Sequence, residues 1–105
     1  MKGTKMKVFL SYPMNGKSLS EQLGIRHAMK EALWNQGYAG CEVTHNAYCP
    51  IVEGAGRLYY LGQAISKMDG CDAVAFHPEW IRANGCRVER FVAEIYGLTI
   101  IDLDM

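Results

Sequence analysis

The stretch Asp72-Ala-Val-Ala-Phe-His77 decides the fold class, and Gly85-Cys-Arg-Val-Glu89 follows it after a short loop. Residues 73–76 form a short apolar run between a glycine and a proline, a pattern typical of a strand buried on both faces of a parallel sheet. Ligands of open α/β sheets bind beyond the carboxyl ends of the strands, where loops and helix N-termini meet. We expect Glu89 there, in the first turn of the next helix.

Apolar runs and helical periodicity predict four strands that alternate with three helices. The predicted strands cover residues 6–11, 41–45, 73–76 and 98–103, and the predicted helices cover residues 18–37, 58–70 and 87–96. This alternation predicts an α/β fold, a small flavodoxin-like or Rossmann-like three-layer sandwich with a parallel sheet of about four strands. We expect the last helix to bury Val88, Phe91, Val92 and Ile95.

Length and charge restrict the class of protein. The 105 residues predict one domain, residues 1–105, and 11 Lys and Arg balance 11 Asp and Glu. Without a block of like charge, a small molecule is favoured over a nucleic acid polymer as the partner. No apolar run approaches the roughly 20 residues of a membrane span, and Met1–Met6 lacks the apolar core of a secretory signal. We therefore expect a cytoplasmic protein with no membrane partner.

The cysteines do not follow a metal-binding or disulfide pattern. Cys41, Cys49, Cys71 and Cys86 form no Cys-x-x-Cys pair, and no histidine lies at a finger-like spacing from them. We interpret them as reduced thiols and expect neither a metal nor a cofactor.

Glu89 is the candidate catalytic residue. A carboxylate in the first turn of a helix is stabilised by the helix dipole and by free N–H groups, which lowers its pKa and keeps it ionised. An ionised carboxylate suits a nucleophile better than a general acid. The alternative is that an acidic residue in a first turn is ordinary helix chemistry without a catalytic role.

A second candidate is the loop Ser11-Tyr-Pro-Met-Asn-Gly-Lys17, which joins the first strand to the first helix. Its backbone N–H groups and Lys17 could hold a phosphate, although the Walker spacing is absent and ordinary βα turns contain the same residues. His77 could orient a ligand or simply end its strand. Tyr12, Tyr59, Tyr60 and Trp80 could stack on a base or serve packing alone. The segment from His45 to Gly56 predicts a functional or mobile loop.

Three segments together resemble the nucleoside 2-deoxyribosyltransferase superfamily. They are Phe9-Leu-Ser-Tyr-Pro-Met-Asn-Gly16, Cys71-Asp-Ala-Val-Ala-Phe76 and Gly85-Cys-Arg-Val-Glu89 through Gly97. Within this superfamily, the chain resembles a branch of small bacterial and phage domains whose first loop reads like Ser-Gly-Pro-Met-x-Gly. The resemblance implies that Glu89 attacks the anomeric carbon of a deoxynucleoside, and that a free base or water then takes the sugar. The related nucleoside 5′-monophosphate N-glycosidases use water.

The resemblance also implies a substrate-binding set and an assembly. The phosphate would lie at Asn15, Gly16 and Lys17, near Asn84 and Gly85. The whole expected set is Ser11, Tyr12, Pro13, Met14, Asn15, Gly16, Lys17, His77, Trp80, Asn84, Gly85 and Cys86. The family usually has an Asp on the second helix and an aromatic hydroxyl in the first strand, where this chain has Ala64 and Phe9. Relatives build their sites across interfaces, which implies a homo-oligomer.

Two further functions stay open at this point. Ala64 in place of an acid is compatible with a nucleotide-binding module of the same fold that has no catalytic activity. A purely structural assembly domain with a vestigial cleft is the third possibility, and it predicts that no ligand binds.

Overall fold

The order of strands and helices follows the predicted alternation in the computed structural model, which describes residues 5–45 and 54–105. The strands are β1 (Lys7–Ser11), β2 (Glu42–Thr44), β3 (Ala73–Phe76) and β4 (Thr99–Asp102), and the helices are α1 (Leu19–Leu33), α2 (Arg57–Met68) and α3 (Asn84–Ile95). A π-helical turn (Trp34–Tyr38) extends α1, and a 3₁₀ turn (Trp80–Arg82) precedes α3.

The four strands form one parallel sheet in the order β2-β1-β3-β4, which confirms the predicted fold class. The chain moves outward in one direction from β1 to β2, and in the other direction from β3 to β4. Such a reversal between two central strands is the switch point at which flavodoxin-like sheets bind ligands. Ser11 pairs with Phe76, so β1 and β3 end side by side at this point.

Alternating residues of the strands build a core on each face of the sheet, because successive side chains of a strand point to opposite faces. On one face, Val8 and Leu10 pack with the buried side of α1. On the other face, Phe9 packs with residues of α2 and α3. The switch point therefore lies between helices that cover different faces of the sheet.

The prediction for the last helix is wrong in two respects. The helix begins at Asn84, three residues before the predicted start at Arg87, so Glu89 lies in its second turn. The apolar stripe is also not the buried one: Val88, Phe91 and Ile95 are exposed, and only Val92 packs partly against the core. The buried residues of α3 are Cys86, Glu89 and Ala93. These residues also follow helical spacing, and the small side chains of Cys86 and Ala93 let the helix lie close to the sheet.

A glycine ends α3 as predicted. Gly97 has a φ of +74°, which is readily accessible to glycine, and its N–H donates to the carbonyl of Glu94. The N–H of Leu98 donates to the carbonyl of Ala93, so the two bonds form a Schellman motif. This turn directs the chain straight into β4.

The described residues also bear on the predictions for a membrane span, for the cysteines and for the loop after β2. Within the described ranges, no helix is long and apolar enough to cross a membrane. Cys41, Cys71 and Cys86 are free thiols. Cys49, the start of the chain at residues 1–4 and most of the expected loop, residues 46–53, lie outside the described residues.

Candidate functional site

A cavity of about 800 Å³ opens at the carboxyl end of β1, between α2 and the first turns of α3. It brings together nine of the residues that the sequence proposed for the site. They are Ser11, Tyr12, Pro13, Met14, Asn15, Asn84, Gly85, Cys86 and Glu89. The size is within the range of pockets that hold small ligands. These nine residues therefore line one cleft.

A buried hydrogen bond lies in the wall of this cleft. The Oγ of Ser11, the last residue of β1, donates to Oε1 of Glu89 over 2.6 Å. Ser11 is 1% exposed and Glu89 is 7% exposed, so both groups are almost completely shielded from water. A short hydrogen bond to a carboxylate fixes its orientation and favours its ionised form. The pair joins the end of the central strand to the helix that follows β3.

The pKa of Glu89 is raised, which corrects the prediction that the helix N-terminus lowers it. Burial raises the pKa of this carboxyl group to about 7, and the hydrogen bond from Ser11 opposes that shift. The reason is position: in the second turn, Glu89 lies beyond the first-turn N–H groups and loses its hydration against the core. Near neutral pH, both the ionised and the neutral forms of Glu89 are therefore populated.

Cys86 lies one helical turn before Glu89 and faces the same cleft. Burial raises the pKa of its thiol to about 11, the nearby carboxylate of Glu89 adds to the rise, and the contact with the hydroxyl of Ser11 partly opposes it. A thiol with so high a pKa remains protonated at neutral pH and is a poor nucleophile. Cys86 therefore contributes shape and a weak donor to the cleft, and Glu89 is the group suited to chemistry.

The first loop contributes only part of what the sequence suggested. Asn15 lines the cleft, whereas Gly16 and Lys17 are exposed and lie outside its wall. Ser18 and Glu21 close the N-terminus of α1 with a capping box, in which the Ser18 N–H donates to the Glu21 carboxylate over 2.7 Å. The side chain of Glu21 thus occupies the position where an incoming anion would find free N–H groups.

His77 and Trp80 also lie outside the cleft. His77 accepts a hydrogen bond at Nδ1 from the backbone N–H of Glu79, which stabilises the turn after β3. Trp80 packs under the guanidinium of Arg90, 4.3 Å from its ring centre, and Arg90 in turn makes a bidentate ion pair with Asp102. These contacts tie the 3₁₀ turn to α3 and β4, which holds one wall of the cleft in place.

The structure adds cleft residues that the sequence reasoning missed. They come from α2 and from the segment between β3 and α3: Arg57, Leu58, Leu61, Arg82 and Ala83 also line the cavity. Tyr60 and Ala64 of α2 and Val88 of α3, which the sequence analysis considered for other reasons, lie in the same wall. The sequence contained one signal for Arg57. A cation in the first turn of a helix is unfavourable because it opposes the helix dipole, so its presence there can indicate a binding function. The packing of α2 beside α3 could not be inferred from spacing alone.

Ala64, which stands where the resembling family usually has an Asp, also lies in this wall and is 2% exposed. Its methyl group leaves Glu89 as the sole carboxyl group among the described lining residues. Outside the cleft as well, the described ranges contain no group of three or more His, Cys, Asp or Glu side chains placed to hold a metal ion. Glu89 is therefore the carboxyl group that the described wall of the cleft offers for chemistry.

Comparison with known proteins identifies a family. No curated protein and no solved structure matches the chain. A family model matches residues 6–102, which include every strand and helix that positions the cleft. The chain therefore belongs to the family described as Domain of unknown function (DUF4406).

Proposed function

We propose that the protein cleaves or transfers the N-glycosidic bond of a deoxynucleoside or a nucleoside 5′-monophosphate, with Glu89 as the nucleophile. The observation that carries the proposal is the buried Glu89 carboxyl, held by Ser11 in a cavity at the switch point of the sheet. The motif resemblance to nucleoside 2-deoxyribosyltransferases supports the same residue for the same role.

The proposed reaction needs one carboxylate beside the anomeric carbon. The ionised Glu89 stabilises the positive charge that develops on the sugar and then forms a bond to the anomeric carbon, as carboxylates do in retaining glycosidases. The N-glycosidic bond breaks, and the base leaves with the bonding electron pair and takes a proton from water. Water or a second base then attacks the same carbon and frees Glu89.

Ser11 is the positioning residue in this proposal. Its hydroxyl donates to Oε1 of Glu89, which leaves the other carboxylate oxygen available for the sugar. The bond also limits the rise in the pKa of Glu89, so a larger fraction is ionised at neutral pH. In the resembling family an aromatic hydroxyl is expected on the first strand, and Phe9 has none; Ser11 supplies a hydroxyl two residues later on the same strand.

The test is chromatography of deoxynucleosides and nucleoside 5′-monophosphates incubated with the protein, with and without a second free base. We expect release of the base, and Glu89→Gln should reduce its rate at least about a thousandfold because the nucleophile is lost. Exchange of one base for another would identify a transferase, and release in water alone a hydrolase. Unchanged activity of the Glu89→Gln variant would refute the assigned role.

A nucleotide-binding module without catalysis is the second candidate, and Ala64 is the observation that favours it. The cleft offers no second carboxyl group from its described lining residues that could protonate a leaving base. Tight binding of nucleotides with no base release would support this alternative. Absence of any bound nucleotide in calorimetry would favour the third possibility, an assembly domain with an unused cleft.

The proposal includes a cytoplasmic homo-oligomer. The outer face of α3 presents Val88, Phe91 and Ile95 to solvent, and Phe91 and Ile95 are 62% and 60% exposed. A continuous apolar stripe of this kind on a small domain is typical of a surface that another chain covers. We expect a second copy of this chain to cover it. Light scattering that gives the mass of one chain at micromolar concentration would refute this part.

A further inference from the structure

The charges around the cleft are asymmetric. Its described lining residues include two cations, Arg57 and Arg82, and one acidic group, the buried Glu89. Arg57 is the first residue of α2, and Arg82 ends the 3₁₀ turn that leads into α3. The two guanidinium groups thus come from separate elements that form the walls of one cavity, and they are not charges along one solvated helix face.

Neither guanidinium is neutralised by a strong partner. Among the described residues, no hydrogen bond or ion pair engages the side chain of Arg57. Arg82 lies 3.9 Å from Glu79, but both side chains are largely exposed. Exposed ion pairs at this distance contribute little, because water and salt screen them. Both groups are therefore free to bind an anion.

The helix dipoles make these two positions unfavourable for a cation unless an anion binds there. Arg57 lies at the positive end of α2, and Arg82 lies next to the positive end of α3. Side-chain capping bonds are also absent from both of these helix starts, whereas Ser18 and Glu21 close α1. A bound anion would reverse the unfavourable charge at both places. The first loop, with its capping box, offers no comparable position.

We propose that Arg57 and Arg82 bind the phosphate group of the substrate, so that the cleft selects phosphorylated nucleosides. The proposal rests on the proposed use of this cleft for a nucleoside or nucleotide, and it places the phosphate at these two arginines instead of at Gly16 and Lys17, which lie outside the cleft wall. A guanidinium presents paired N–H donors that match phosphate oxygens. Two such groups on different walls suit a dianion with three terminal oxygens.

The test is calorimetric binding of dAMP, dGMP, dCMP and dTMP beside the four corresponding deoxynucleosides. Arg57→Gln and Arg82→Gln should each weaken binding of the preferred monophosphate at least about tenfold and leave binding of its deoxynucleoside unchanged. Arg87→Gln is the matched control, because Arg87 is exposed on α3 and lies outside the cleft. The advantage of the monophosphate should also decrease as the salt concentration rises.

The outcomes separate this proposal from the proposed reaction if the arginine variants are also compared in Glu89→Gln protein, where the proposed reaction predicts no turnover during the binding measurement. Equal affinity for monophosphate and deoxynucleoside, or no bound monophosphate, would overturn the assignment. It would also be overturned if Lys17→Gln weakened monophosphate binding while both arginine variants did not, or if Arg87→Gln weakened it as much as they did. Selective loss in Arg57→Gln and Arg82→Gln without base release would support the phosphate site and refute the reaction.

Discussion

The two faces of α3 differ in a way that reverses the usual relation between hydrophobicity and burial. The inner face carries Cys86, Glu89 and Ala93, which lie against the sheet and the cleft, whereas the outer face carries Phe91 and Ile95 in solvent. A buried carboxyl group costs folding free energy, and an exposed apolar stripe gains none in the isolated chain. We propose that the function of the cleft explains why a carboxyl group is buried on the inner face. We propose that assembly with a second copy of the chain explains why apolar residues are exposed on the outer face.

The largest expected effect concerns the cost of burying Glu89. Its pKa is about 7 in the folded chain and its ordinary value is 4.5, so the folded state binds more protons between these two values. The contribution of Glu89 to stability is therefore complete below pH 4.5 and is lost as the pH rises through 7. Relative to Glu89→Gln, the wild type should lose roughly 3 kcal/mol of unfolding free energy over this window.

Urea unfolding of both proteins at several pH values measures this difference. The Glu89→Gln variant serves as the reference because every other titrating group is shared. Parallel pH curves for the two proteins would mean that the carboxyl group titrates normally in the folded chain. Burial of Glu89 on the inner face would then carry no cost in folding free energy.

Packing on the inner face gives the next effect. Ala93 is fully buried between α3 and the sheet, so Ala93→Leu has no space for the larger side chain. We expect a loss of about 1–3 kcal/mol in unfolding free energy. Ile95→Leu, on the exposed side of the same helix, should change it by less than about 0.5 kcal/mol. Equal losses in the two variants would contradict the assignment of the faces.

The hydrogen bond from Ser11 gives a smaller effect, visible in the pH profile. In Ser11→Ala the carboxylate of Glu89 loses the donor that favours its ionised form, so its pKa rises further. The rising limb of kcat/KM should move to higher pH, with a loss of about tenfold in kcat/KM on the acidic side of that limb. Ser20→Ala, an exposed serine on α1, is the control and should leave the limb in place. An unmoved limb in Ser11→Ala would show that Ser11 does not set the ionisation of Glu89.

The sequence was sufficient for the sheet but not for the orientation of α3. The four-residue apolar run at residues 73–76 has few alternatives to a buried strand, and alternation with helices then fixes a parallel sheet. On α3, both the apolar stripe with Phe91 and the stripe with Cys86 and Ala93 follow the helical period. Which of the two is buried depends on how close the helix lies to the sheet. Hydrophobicity favoured the stripe with Phe91, whereas the close approach required the small side chains of Cys86 and Ala93.

The same limit applies to the site. Glu89 and the first loop could be predicted because both follow strand ends, and strand ends meet at one edge of a parallel sheet. Arg57 and Arg82 could not, since they reach the cleft through the packing of α2 and of the 3₁₀ turn. The prediction of a lowered pKa for Glu89 was wrong for a related reason. Helix α3 starts three residues earlier than predicted, which places the carboxyl group beyond the first turn.

The smallest effect on the stability of the isolated chain is expected at Phe91. This substitution tests whether the outer face of α3 is covered by a second copy. Phe91 is 62% exposed, so Phe91→Ser removes little buried area and should change the unfolding free energy of the monomer by less than about 0.5 kcal/mol. If a second copy covers this face, however, the same change removes an aromatic side chain from the middle of the interface, where such residues contribute most to binding. Light scattering should then show a shift to the mass of one chain, while the far-ultraviolet circular dichroism spectrum stays the same.

Trp34→Ser, an exposed aromatic on the opposite side of the sheet, is the control and should leave the assembly intact. An assembly that survives Phe91→Ser but dissociates in Trp34→Ser would place the contact on the side of α1 and leave the apolar stripe of α3 without its proposed function.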